Sequence, residues 1–81
     1  MKITYHFIIN PFKAVRDAPY RYLPLILRER GYNVSGHNPH IIDDADLEFV
    51  SNREIIEEHK KEILGSRPLG ITRIREIDRS E

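Results

Sequence analysis

The chain has no cysteine, no tryptophan, one methionine and only four glycines in 81 residues. Without cysteine it has no disulfide scaffold, no Cys-ligated zinc site and no thiol nucleophile. No apolar run approaches the roughly 18–20 residues of a membrane-spanning helix. The opening Met1-Lys2-Ile3-Thr4-Tyr5-His6 lacks the apolar stretch and small-residue cleavage site of a secretory signal, so the cytoplasm is the expected location. Charge of one sign is missing too. Thirteen Lys+Arg balance thirteen Asp+Glu, and no global field draws the chain to nucleic acid or to a membrane.

The length supports a single domain, 1–81, whose core buries only about 60% of the surface exposed by the unfolded chain. A two-lobed enzyme with an interdomain cleft is excluded. The charge is nevertheless segregated along the chain. Residues 1–35 carry six basic groups against two acidic ones, residues 36–66 three against eight, and the remainder four Arg against Glu76, Asp78 and Glu81.

Ile3, Tyr5, Phe7 and Ile9 alternate with Lys2, Thr4, His6 and Ile8, which predicts a strand over 2–10 that ends at Asn10-Pro11. Tyr20, Leu23, Ile26 and Leu27 predict a helix over 17–30. Asp17 stands at its N-cap, Pro19 in its first turn and Gly31 just past its end. Pro24 disturbs that pattern, because a proline inside a helix costs about 3 kcal/mol. The expectation is a start near Leu23 or a kinked first turn.

Residues 32–35 alternate as a second strand, and 36–46 (GHNPHIIDDAD) read as a turn or hairpin loop. Leu47-Glu48-Phe49-Val50 is a third strand. Ser51-Asn52-Arg53-Glu54 fits a capping box opening a helix over 53–64, with Glu57 and Lys61 as an i,i+4 ion pair and Gly65 as its stop. Residues 71–77 read as a strand with a bulge near Arg73, although Ile71, Ile74 and Ile77 recur at a spacing closer to helical.

The order β-α-β-β-α-β, with a turn-rich link after the second strand, predicts an α+β ferredoxin-like plait. In it two helices cover one face of a four-stranded sheet. The other face would carry Thr4, His6, Ile8, Asn33, Ser35 and Glu48. A small parallel, Rossmann-like α/β sheet is the alternative. Residues 1–37, MKITYHFIINPF…YLPLILRERGYNVSGH, resemble the opening β-α-β of GT-B glycosyltransferases: an apolar strand, a loop, and a helix ending in an LRERG turn. The resemblance covers under half of the chain and implies the parallel arrangement. That family's nucleotide-binding and catalytic positions have no counterpart in these residues.

Three constellations suggest chemistry. His37 and His40, three apart, precede Asp43 and Asp44, with Asp46 and Glu48 beyond them. Imidazoles and carboxylates in a proline-stiffened loop can hold a divalent metal, although Asn, Pro and Asp equally make an ordinary turn. Lys13 and Arg16 flank the start of the first helix, where an anion is welcome, but the loop has no glycine with which to wrap a phosphate. His59, with Glu58 and Glu62 as neighbours, has the composition of a general base and orienter, yet sits on an apolar stripe.

RNA-binding plaits stack bases on aromatics of the open sheet face. Here Tyr5 and Phe7 share the face of Ile3 and Ile9, leaving His6 as the only ring opposite. The favoured expectation is a small non-enzymatic interaction or regulatory module, an accessory subunit or homo-oligomer with no cofactor. A metal- or anion-binding protein and an RNA-binding module are the alternatives.

Overall fold

Strand β1, Lys2–Ile9, is the spine of the molecule. Its burial alternates residue by residue, with Ile3, Tyr5, Phe7 and Ile9 turned to the core. The computed structural model describes residues 1–37 and 47–80, with His37 described by its backbone alone. After β1 come α1 (Ala18–Glu29), β2 (Val34–His37), β3 (Leu47–Ser51), α2 (Glu57–Leu64) and β4 (Ile71–Ser80). The core gathers the inward residues of the strands with Leu23 and Leu27 of α1 and Ile63 of α2; Tyr32, Ile55 and Leu69 join from the connections.

The sheet order is β2-β3-β1-β4. All three pairings, β1 with β3, β1 with β4 and β2 with β3, are antiparallel. The parallel, Rossmann-like alternative is thereby overturned, along with the parallel β-α-β implied by the resemblance to glycosyltransferases. Each helix returns the chain two positions away from the strand it left, and an antiparallel strand fills the gap. The fold is α+β, a four-stranded antiparallel sheet with two helices. The cover expected of the ferredoxin-like plait is also revised. The second helix has eight residues, not twelve, and the irregular segments bearing Ile55 and Leu69 complete the apolar layer.

Helix α1 runs unbroken through Pro24, with no start at Leu23. The Arg21 N–H donates to Asp17 O and opens the ladder (3.0 Å), while Asp17 caps by backbone only, its carboxylate making no cap bond. At the other end the Gly31 N–H donates to Arg28 O and the Tyr32 N–H to Leu27 O, a Schellman closure that needs the left-handed φ of +90° found at Gly31. Tyr32 therefore belongs to the helix stop, not to a strand over 32–35.

Strand β2 begins at Val34 and includes Gly36 and His37, which the sequence suggests as loop. Gly36 lies opposite Phe49, and a Cβ there would come within 1.9 Å of the Phe49 ring, so the ring occupies the space a side chain would fill.

Helix α2 starts at Glu57, four residues later than the capping box suggests. Ser51 is the last, buried residue of β3, and its hydroxyl donates to Arg53 O (2.7 Å). Glu57 pairs with Lys60 at 3.5 Å, three residues on. Two tyrosines hold the extended approach to the helix: the Ile55 N–H donates to the Tyr5 hydroxyl (2.9 Å) and the Ile56 N–H to the Tyr32 hydroxyl (3.1 Å). β4 is a strand throughout. Its register against β1 shifts at Ile8/Ile9 and Thr4/Tyr5, leaving Thr72 and Ile77 as the extra residues.

Truncating Phe7 or Leu27, both fully buried, to Ala should cost about 2–5 kcal/mol by chemical denaturation; an unchanged midpoint for both would refute the packing described. Burial pushes the Tyr5 phenol above its ordinary value. Its neutral form therefore stabilises the fold fully below about pH 10, a contribution lost as pH rises further. Tyr5→Phe, which strips the Ile55 N–H of its acceptor, should destabilise by about 1–3 kcal/mol at pH 7. The gap to the parent should narrow on titration toward pH 11.

Candidate binding surface

Residues directly opposite one another in a sheet share a face. The rows His6–Glu48–Arg75 and Thr4–Val50–Asp78, with Ile8 opposite Arg73, therefore turn away from the core. His6 Nε2 meets Glu48 Oε1 at 2.9 Å, a part-buried contact between neighbouring strands at the centre of this face. Ile8, Thr4 and Val50 are half-buried by their neighbours alone, while Arg73, Arg75 and Asp78 are exposed. This surface is polar and mixed in charge. Among the described side chains it presents no aromatic ring other than His6.

Lys13 and Arg16 are not brought together. Lys13 lines a cavity of about 640 Å³ bounded by the end of α2 and the start of β4. Arg16, at a left-handed φ of 48°, lines a separate one of about 270 Å³ with Pro19 and Tyr20. Of the metal constellation, His40, Asp43 and Asp44 lie outside the described residues, and the backbone of His37 stands opposite Glu48. Among the described residues no three His, Asp or Glu side chains group as metal ligands.

His59 is oriented by neither Glu58 nor Glu62. Its Nδ1 lies 2.7 Å from the Tyr32 hydroxyl, and the two rings meet edge to face at 5.4 Å. The hydroxyl accepts from the Ile56 N–H and can donate to an unprotonated Nδ1, an arrangement that ties the start of helix α2 to Tyr32. Glu62 instead receives both arms of Arg30, Nε at 2.9 Å and Nη2 at 2.6 Å. Arg53 lies 4.3 Å over the Tyr32 ring and donates to Arg30 O (2.9 Å). The sequence does not signal these contacts, because the partners stand more than 20 positions apart and no short motif joins them.

No protein family, curated protein or solved structure matches the chain.

The two hydrogen bonds from Arg30, reinforced by its charge, hold the Glu62 carboxyl below the ordinary carboxylate range. Folding therefore favours the carboxylate. That contribution is present above about pH 4.3 and is lost as pH falls through the depressed value. Glu62→Gln should lower the melting temperature at pH 7, and the difference from the parent should close as the solution is acidified toward pH ~3. A pH-independent difference would show that the pair does not act through its charge.

Proposed function

We propose that this chain is a small non-enzymatic interaction module that uses the uncovered face of its sheet, and that a second copy of the chain is the partner this face fits. The observation that supports the reading is the order of charge along β4. Arg73 and Arg75 lie toward one end of the face and Asp78 toward the other, with Glu48 near the centre. Two such faces stacked about a two-fold axis, with their β4 strands running in opposite directions, set the arginines of each copy over the aspartate of the other. Ile8 and Val50 supply the apolar contact between the charges. An accessory role in a larger assembly uses the same face, with a different chain in place of the second copy.

Light scattering on a size-exclusion column, run over a concentration series, tests the proposal. The expected result is a dimer that dissociates as salt is raised, because partly exposed charge pairs are screened. The double reversal Arg73→Glu with Arg75→Glu should weaken it by about tenfold or more while leaving the melting temperature close to the parent's. A strict monomer at high concentration and low salt overturns the homodimer.

A further inference from the structure

The cavity of about 640 Å³ at the far end of β1 is built unlike the sheet face. Lys13 reaches it from the β1–α1 loop, Leu64, Ser66 and Arg67 from the end of α2 and the turn after it, and Ile71 and Thr72 from the start of β4. Backbone bonds fix the walls relative to one another. The Asn10 N–H donates to Gly70 O and the Val15 N–H to Pro68 O, both at 2.9 Å, so the loop carrying Lys13 is tied to the segment carrying Arg67. No carboxylate is among the lining residues, and neither cation has an ion-pair partner among the described residues. The Thr72 hydroxyl donates to Ile8 O at 3.3 Å and is thereby engaged, and Ser66 brings a second hydroxyl to the lining.

We propose that this cavity binds a small phosphate monoester. Two cations match the double charge of the phosphoryl group, Arg67 by its planar fork and Lys13 as a point charge, and the Ser66 hydroxyl supplies a donor. Inorganic phosphate fills only a small part of the space, whose volume lies in the range of organic-ligand sites. Leu64 and Ile71 give an ester group an apolar wall. Arg16 takes no part, because it lines the other cavity.

The experiment follows the backbone amides of the full chain by NMR during titration with phenyl phosphate, inorganic phosphate and phenol, each to about 10 mM, a ceiling that reaches millimolar affinities. The expected result is saturable shifts at Gly65, Ser66, Gly70 and Thr72 with phenyl phosphate, binding about tenfold weaker for inorganic phosphate, and none for phenol. Lys13→Gln with Arg67→Gln should weaken phenyl phosphate by about tenfold or more at an unchanged melting temperature, both side chains being exposed, whereas Arg28→Gln, which removes a cation elsewhere, should not. The proposal is overturned by the absence of saturable shifts, by shifts that survive the double substitution, or by inorganic phosphate binding as tightly as the ester.

Discussion

Two phenol hydroxyls hold the layers of this protein together. Tyr5 sits in the central strand with no exposed surface, and a hydroxyl left unpartnered at that depth carries a heavy desolvation penalty. The backbone supplies the partner. The Ile55 N–H closes on Tyr5 and the next N–H closes on Tyr32, so the chain leaving β3 stays extended for several residues. These two bonds anchor the segment just before helix α2, which starts at Glu57 with Ile56 extended at its N-cap. Tyr32 in turn lies at the Schellman closure of α1, under the Arg53 guanidinium and against the His59 ring. One cluster thus sets the end of the first helix, the start of the second and the distance of both from the sheet.

The charge segregation along the sequence is resolved by the same geometry. The basic first third and the acidic middle close on each other through Arg30 and Glu62, and through His6 and Glu48 on the opposite side of the sheet. The basic end of the chain returns through Arg79, which bridges Glu54 and Glu76. The Arg30 and Arg79 pairs are solvent-exposed, and individually each contributes little to stability, while His6–Glu48 is part-buried. Their effect is on position: they clamp the helix ends after the apolar residues have fixed the layers.

Periodicity made β1, β3 and the body of α1 legible from the residues alone, since in each the apolar spacing and the burial coincide. Gly31 likewise marks its own stop. The start of α2 was not legible, because Ser51 offers a capping box whose hydroxyl a strand end has already claimed. The signal that moves the helix comes from tyrosines 24 and 50 positions away. Pro24 misled for a related reason. A helix interior tolerates one missing N–H when Leu23 and Leu27 on either side of it are fully buried, and burial of that size exceeds the local cost. Sequence adjacency in a loop says nothing about direction, and Lys13 and Arg16 line separate cavities. The backbone is left-handed at Arg16, and the cation that shares a cavity with Lys13 is Arg67, from the turn after α2.

The charge pattern of the edge strand β4 disfavours pairing with its own copy. β4 is ten residues long and bounds the sheet, a template on which another strand can add. In an unbulged antiparallel pair of identical strands related by a two-fold axis, one residue must stand opposite its own copy, because neighbouring pairs alternate in hydrogen-bond type. Centred on Ile74, that pairing sets Arg73 against Arg75; centred on Arg75 or Glu76, it sets that residue against itself; centred on Ile77, it sets Glu76 against Asp78. Every central register therefore opposes like charges, which is destabilising in a cross-strand pair. The bulges at Thr72 and Ile77 further break the regular ladder. On the uncovered face the charges are instead separated, Arg73 and Arg75 toward one end and Asp78 toward the other, which is the arrangement the proposed stacked pair uses. The run Arg73-Ile74-Arg75-Glu76-Ile77-Asp78 thus discourages open-ended growth of the sheet while leaving a face on which a closed pair can form.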